Sequence, residues 1–368
     1  MINDCRLVKY GQMYLRFALA GAVALALISC SQNKPVKIAE GAAKPIGTPV
    51  EIQAPLGLPP VPIPPNNKPT ADTIALGRKL YYDPLLSLDG SIACATCHSP
   101  THGFTDAMPV STGFSGQLGK RNAPTVLNAA YQPVQFWDGR APSLELQAAG
   151  PIANPIEMNQ SHEACVGKLG ANPEYPKLFQ QAFGPGAITI GKVEMAIASF
   201  ERTVISGNSP FDRYQYGGNK TAMKPAAIRG LALFKDPAKT NCVKCHTMEN
   251  SYALFADGKY HNLGVGVNSE GEMTDLGRYG ESKKESDKGA FRTPTLRNVA
   301  ITGPYMHDGS LKTLRRVVDF YVGGGNSNPQ LDKDIKELRL TGQERDDLVA
   351  FLEALTGEMP PNVGPPGK

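Results

Sequence analysis

The sequence predicts a mostly α-helical chain made of two similar halves, on three observations. The pentapeptide pattern Cys-x-x-Cys-His occurs twice, as Cys94-Ala95-Thr96-Cys97-His98 and Cys242-Val243-Lys244-Cys245-His246. Blocks of sequence around the two copies recur at fixed offsets. Elsewhere apolar residues repeat at helical spacing, and no convincing alternating strand series occurs.

The pentapeptides carry chemistry. In Cys-x-x-Cys-His each thiol adds across a haem vinyl group and the adjacent imidazole turns onto the iron, so the pattern reads as covalent haem attachment. The competing reading is a zinc or dithiol site. A closed zinc site needs about four Cys or His ligands, so the two pairs would share one metal and leave both histidines idle. A thioredoxin-like Cys-x-x-Cys expects a βαβ context, and none is visible. Cys94, Cys97 and His98 are therefore expected to hold one c-type haem, and Cys242, Cys245 and His246 a second.

Composition narrows the class. The 368 residues suffice for two domains with substantial cores. A formal charge of +4 without any basic run gives nucleic-acid binding no support. Of the seven cysteines, four belong to the pentapeptides, Cys5 and Cys30 lie near the N-terminus, and Cys165 is expected to be an inert buried thiol.

Residues 1–30 read as a lipoprotein-type signal peptide. Arg6, Lys9 and Arg16 precede an apolar run at 17–28, which is too short for a comfortable membrane span. Leu27-Ile28-Ser29-Cys30 resembles a bacterial lipoprotein box, with Cys30 as the lipidated new N-terminus and anchor. An ordinary cleaved signal, an uncleaved anchor, or a start at Met13 would all still export the chain. Haem attachment outside the cytoplasm requires export, so the expected location is the periplasm. Residues 31–69 are Pro-rich and polar without apolar periodicity, and are expected to form a semi-extended linker.

Two domains follow, at 70–222 and 223–358, with a tail at 359–368. Gly77-Arg78-Lys79-Leu80-Tyr81-Tyr82-Asp83-Pro84 precedes the first pentapeptide. Gly230-Leu231-Ala232-Leu233-Phe234-Lys235-Asp236-Pro237 precedes the second. After each pentapeptide a second block recurs, in which Pro124, Thr125, Asn128, Ala130, Asp138, Gly139 and Leu144 face Pro294, Thr295, Asn298, Ala300, Asp308, Gly309 and Leu314. The expected architecture is therefore two cytochrome c-like haem domains arranged as an internal duplication. Ile190, Val193, Ile197, Phe200 and Val204 mark one helix. Thr341-Gly342-Gln343-Glu344 is a capping box opening another, with Leu348, Phe351, Leu352 and Leu355 on its apolar face and Gly357 expected to stop it.

The halves differ at one corner, where the repeat pairs Trp137, the only tryptophan, with His307. The surrounding Gln135-Phe136-Trp137-Asp138-Gly139-Arg140, then Gln147 and Glu157-Met158, resembles the bacterial di-haem cytochrome c peroxidases and their relative MauG. Pro294-Thr295-Leu296-Arg297-Asn298 and Pro304-Tyr305-Met306-His307-Asp308-Gly309 carry the same resemblance in the second half. It covers roughly residues 50 to 358.

The resemblance implies that the first haem reacts with hydrogen peroxide, with His98 as proximal ligand and Gln147 and Glu157 in the distal pocket. Trp137 would relay electrons between the haems. These residue types suit the chemistry. Cleaving a peroxide O–O bond needs a group that takes a proton from one oxygen and returns it to the other, and a carboxylate with pKa raised by desolvation can do both. Gln147 can orient peroxide by donating a hydrogen bond.

Many relatives block the first iron with a distal histidine. The matching position here is Phe114, which cannot ligate iron, so this iron is expected to be five-coordinate at rest. Relatives supply a Met to the second iron, and the alignment lands on Tyr321, which shares a helical face with Leu314, Val317 and Val318. That face also suits a core tyrosine, with Met306 and Met273 as fallback ligands. The resemblance further implies a calcium ion between the domains, with Asn122, Thr302 and Pro304 at the matching positions. His261 is expected to be a pocket-lining or structural histidine.

The function expected is peroxide reduction to water with electrons from a small redox protein such as a cytochrome c. A MauG-like alternative uses peroxide-derived oxidising equivalents on residues of a partner protein. A rival of another class is a di-haem electron-transfer protein without catalysis.

Overall fold

Helix α1 (Ala71–Tyr82) begins where Thr70 caps it, its hydroxyl accepting from the Thr73 N–H at 3.3 Å, and ends at Asp83-Pro84. These residues belong to a computed structural model that describes residues 44–367. The signal sequence, Cys30 and the start of the expected linker lie outside the described residues. The first half continues with α2 (Cys94–Cys97), α3 (Leu144–Ala153), α4 (His162–Ala171), α5 (Tyr175–Phe183) and α6 (Ile190–Glu201). The second contains α7 (Pro210–Gln215), α8 (Pro225–Lys235), α9 (Tyr279–Ser282), α10 (Leu314–Val322) and α11 (Gly342–Glu353). Sheet is confined to β1 (Tyr260–His261) and β2 (Phe291–Arg292), which pair antiparallel among the described residues.

In each half the helix preceding the pentapeptide crosses a later long helix at a glycine. A Cβ on Gly77 would lie 1.8 Å from the Ala196 carbonyl oxygen of α6, and one on Gly230 1.9 Å from the Asp347 carbonyl oxygen of α11. Any side chain there would force the helices apart. The apolar faces read from the sequence lie inward: Val193, Ile197 and Phe200 on α6, and Leu348, Phe351 and Leu352 on α11. Thr341 does form the capping box with Glu344. Gly357 does not stop α11, which already ends at Glu353. It instead allows a close pass, since a Cβ there would sit 2.6 Å from the Gly207 carbonyl oxygen.

Among the described residues the apolar side chains gather in two large cores and a small cluster of Leu58, Tyr131 and Ile205. One joins α1, α3, α4, α5 and α6 around Leu80, Tyr81, Phe104 and Phe200. The other joins α7, α8, α10 and α11 around Phe211, Phe234, Phe255 and Phe351, with the Phe234 and Phe351 rings 4.9 Å apart. Each buried ring of this kind contributes roughly 1.5–3 kcal/mol.

The recurring blocks take matching conformations. Asn128 and Asn298 are both left-handed, with φ of 63° and 61°. Thr125 donates to the Gly103 carbonyl at 2.6 Å and Thr295 to the Leu254 carbonyl at 2.7 Å. Phe136 and Met306 both have positive φ, and short antiparallel bridges, Gln135 to Ala141 and Tyr305 to Leu311, follow the same offset. Ser143 then caps α3, and Thr313 caps α10.

The expected boundaries need correction in three places. Residues 44–69 are no free tether. Asn67 donates to Glu145 at 2.8 Å, Tyr131 donates to the Pro59 carbonyl at 2.9 Å, and Leu58 is buried. The Gly57 carbonyl accepts from Arg297, whose guanidinium forms a bidentate pair with Asp212 at 2.9 Å for both contacts. Both side chains of that pair are fully buried. The second core begins before residue 223, because Phe211 of α7 belongs to it. The expected tail returns to the first half, where Val363 is buried and its carbonyl accepts from Tyr82 at 2.6 Å.

Candidate active site at the two pentapeptides and the corner between them

Both pentapeptides wind into one tight turn, in which the histidine N–H donates to the carbonyl of the first cysteine at 3.0 Å. His98 places Nδ1 3.4 Å from the Phe104 carbonyl, and His246 places Nδ1 2.8 Å from the Phe255 carbonyl. With Nδ1 as donor, Nε2 keeps a lone pair for a metal. Burial holds both imidazoles below their usual pKa, which favours the neutral, ligating form. Among the described residues the four cysteines do not converge on one point, so a shared zinc lacks its geometry. The residues present fit covalent haem at each turn.

A cavity of about 300 Å³ opens beside the second pentapeptide, lined by Cys242, Cys245, His246 and, from α10, Val317, Val318 and Tyr321. The Tyr321 phenol turns to this cavity and has no hydrogen-bond partner among the described residues. Burial raises its pKa well above the usual value. A bound metal cation works in the opposite direction and would favour the phenolate. Met306, a fallback ligand, lines the same cavity.

The cavity extends to the corner that distinguishes the halves. Trp137 donates its indole N–H to the Asn122 carbonyl at 2.9 Å, and the Asn122 N–H donates to the His307 carbonyl at 2.7 Å. The residues that the repeat pairs are thus joined through one asparagine. His307 stacks on Phe291 with ring centroids 3.6 Å apart. Arg121 ties the corner together, contacting Asp138 at 2.6 Å and Asp275 at 2.6 and 2.8 Å. Asn122, Thr302 and Pro304 all line the cavity. Among the described residues the Asn122 Oδ1 and the Thr302 and Pro304 carbonyls accept no hydrogen bond, which leaves three hard oxygens free.

Glu157, Gln147 and the first pentapeptide lie outside that cavity. Gln147 sits on α3, and Glu157 follows in the loop after the helix. There Asn154 organises the chain: its Oδ1 accepts from the Ile156 N–H at 3.1 Å and its Nδ2 donates to Glu157 Oε1 at 2.7 Å. Burial raises the Glu157 pKa, opposed by the Asn154 hydrogen bond and the charge of Arg140. The charge of Glu157 also reaches the Cys97 sulfur, as the weakest of the influences on it. Burial, then Asp106 and Glu157, push that thiol up against a hydrogen bond with Ser111. The loop carrying Phe114 is pinned to the same segment, its N–H donating to the Glu157 carbonyl at 2.8 Å. A Cβ on Gly113 would lie 2.1 Å from the Ile156 carbonyl, so this close approach requires glycine.

His261 lines the cavity, as the sequence reading expected of a pocket-lining or structural histidine. Sequence reasoning missed two features, the first being the carboxylates that hold that ring. His261 is gripped by carboxylates at both nitrogens, Asp332 at 2.5 Å and Asp257 at 2.9 Å. Contact with the Cys245 sulfur, then Asp332 and Asp257, raises its pKa to about 10. A thioether at Cys245 would remove the first of these contributions. The other is Arg292, on β2, which lines the cavity beside Trp137. No signal in the sequence marks it.

With two metal-ready imidazoles, each beside a pair of thiols, the chain has the makings of a two-haem oxidoreductase. Residues 71–221 match the di-haem cytochrome c peroxidase family. The chain is 42% identical over 299 residues to the methylamine utilization protein MauG of Methylorubrum extorquens, covering 81% of this chain and 82% of that one. It is 39% identical over 290 residues to the cytochrome c551 peroxidase of Nitrosomonas europaea, covering 79% and 81%. Among solved structures, a MauG-like protein associated with microbial copper homeostasis superposes with a TM-score of 0.75 at 32% identity, covering 83% of this chain and 95% of that one. The di-haem peroxidase BthA of Burkholderia thailandensis gives 0.67 at 26% identity, covering 81% and 90%. The chain belongs to the di-haem cytochrome c peroxidase family, a family of oxidoreductases that carry two c-type haems.

Proposed function

We propose that the chain reduces hydrogen peroxide at the His98 site, with electrons that enter at the His246 site from a small redox protein. The balance is one peroxide, two electrons and two protons to two waters. A c-type haem bound at each pentapeptide supplies a redox-active iron. Glu157 takes a proton from one peroxide oxygen and returns it to the other, and Gln147 orients peroxide by donating a hydrogen bond. Trp137 passes electrons between the sites, held by Asn122 and by Arg292, whose N–H donates to the Trp137 carbonyl at 2.8 Å.

The observation that carries this reading is an asymmetry. The first half has a half-buried carboxylate of raised pKa, Glu157, whose main chain holds the loop that carries Phe114. The second has the unpartnered phenol of Tyr321 facing its cavity. A haem held at His98 would then offer its iron to substrate, whereas Tyr321 would supply a further ligand to a haem held at His246. The two halves are read as duplicated cytochrome c-like units, on their matching glycine crossings and block conformations. Asn122, Thr302 and Pro304 are the proposed oxygens for a calcium ion, and Cys30 the proposed lipid anchor in the periplasm.

Phe114 and Tyr321 also favour a second reading, in which the oxidising equivalents are spent on residues of a partner protein. A phenolate ligand favours oxidised iron, where a Met ligand raises the potential. Stopped-flow spectroscopy with hydrogen peroxide, with and without a reduced cytochrome c, separates the readings. Fast cytochrome oxidation supports the peroxidase. A peroxide-induced spectrum that persists and leaves the cytochrome reduced points to the second reading, and no response to peroxide overturns both.

A further inference from the structure

Among the described residues, Arg292 is a buried cation without a counter-ion. It is only 6% exposed. Its guanidinium donates to Gln132 Oε1, to the Phe136 carbonyl at 3.4 Å and to the Thr293 carbonyl at 3.3 Å, all neutral oxygens. The other deeply buried guanidinium groups are matched, Arg297 with Asp212 and Arg202 with Glu145. Burial pulls the Arg292 pKa down to about 10, which still leaves it charged at neutral pH. A buried charge without a partner is costly and marks a place where an anion belongs.

The side chain opens onto the cavity that Cys242, Cys245, His246 and Tyr321 also line. A haem tethered there would carry two propionate carboxylates, the kind of anion this cavity lacks among its own side chains near Arg292. We propose that Arg292 binds a propionate of the haem attached at Cys242 and Cys245, and so fixes Trp137 relative to that haem. The second part follows from the backbone. The Arg292 N–H donates to the Trp137 carbonyl while its Nε reaches the preceding carbonyl of Phe136. Arg292 is thus a positioning residue that holds the relay with its main chain and the cofactor with its charge. This rests on the two-haem reading above.

The test compares Arg292→Gln and Arg292→Lys with the wild-type holoprotein. Haem content is measured first, and then the reduction potential of the His246 haem by spectroelectrochemical titration. A nearby cation stabilises the reduced iron, so Arg292→Gln should lower that potential while Arg292→Lys keeps most of it. An unchanged potential in Arg292→Gln carrying two haems overturns the proposal, because loss of a cation paired with a propionate of that haem must move it. Fewer than two haems in the wild type overturns the underlying reading instead. If Arg292→Gln does not fold, the crystal structure of the wild-type holoprotein decides. A propionate oxygen within hydrogen-bond distance of the guanidinium supports the assignment, and propionates directed elsewhere overturn it.

Discussion

Removing the Asn154 amide should shift the pH dependence of peroxide turnover by about one unit. Asn154 donates to Glu157 at 2.7 Å, and among the contacts of that carboxylate it most opposes the rise in pKa caused by burial. A hydrogen bond to a charged group is worth about 1.5–3 kcal/mol net, and one pKa unit corresponds to about 1.36 kcal/mol. Asn154→Ala should therefore raise the Glu157 pKa by about one unit, water in place of the amide recovering part of the loss. As a base Glu157 acts in its ionised form, so activity falls as pH drops through its pKa. The acid limb of kcat/KM for peroxide should then move to higher pH with the plateau little changed. Asn154→Asp keeps an acceptor for the Ile156 N–H but sets a second carboxylate against the first, and should move the limb further in the same direction. The assay is kcat/KM against pH with a reduced cytochrome c as donor. Folded variants with two haems and an unmoved limb would refute the role given to Glu157.

Two further outcomes are expected. Tyr321→Phe should change the absorption of the His246 haem and leave the His98 haem as it was; an unchanged spectrum removes Tyr321 as a ligand. Asp212→Ala leaves Arg297 charged and unpaired in a fully buried site, and should cost about 3–5 kcal/mol of stability. Denaturant unfolding monitored at the second core measures this loss, and a change below about 1 kcal/mol would mean that water reaches the guanidinium.

Local features were legible in the sequence where a pattern repeats within a few residues. The pentapeptides, the inward faces of α6 and α11 and the Thr341 box are of this kind, each set by spacing or capping within one element. Residues 44–69 were misread because their fixation depends on distant partners. Gly57 is held by Arg297, Asn67 by Glu145 and Pro59 by Tyr131, and no periodicity announces such contacts. Gly357 was misread for the same reason, as its lack of a side chain serves a close pass by Gly207 rather than a helix end. Arg292 sits on a two-residue strand, too short to show a pattern, and its meaning depends on having no acid nearby. Glu157, Trp137 and Tyr321 became candidates only through the family motif, since each alone reads as an ordinary surface or core residue.

In the proposed enzyme the two irons would differ, the His98 iron open to peroxide and the His246 iron ligated by Tyr321. Low-temperature electron paramagnetic resonance of the oxidised holoprotein tests it most directly. The account predicts one high-spin and one low-spin ferric signal in equal amounts. Two low-spin signals, meaning both irons carry a sixth ligand, would contradict it.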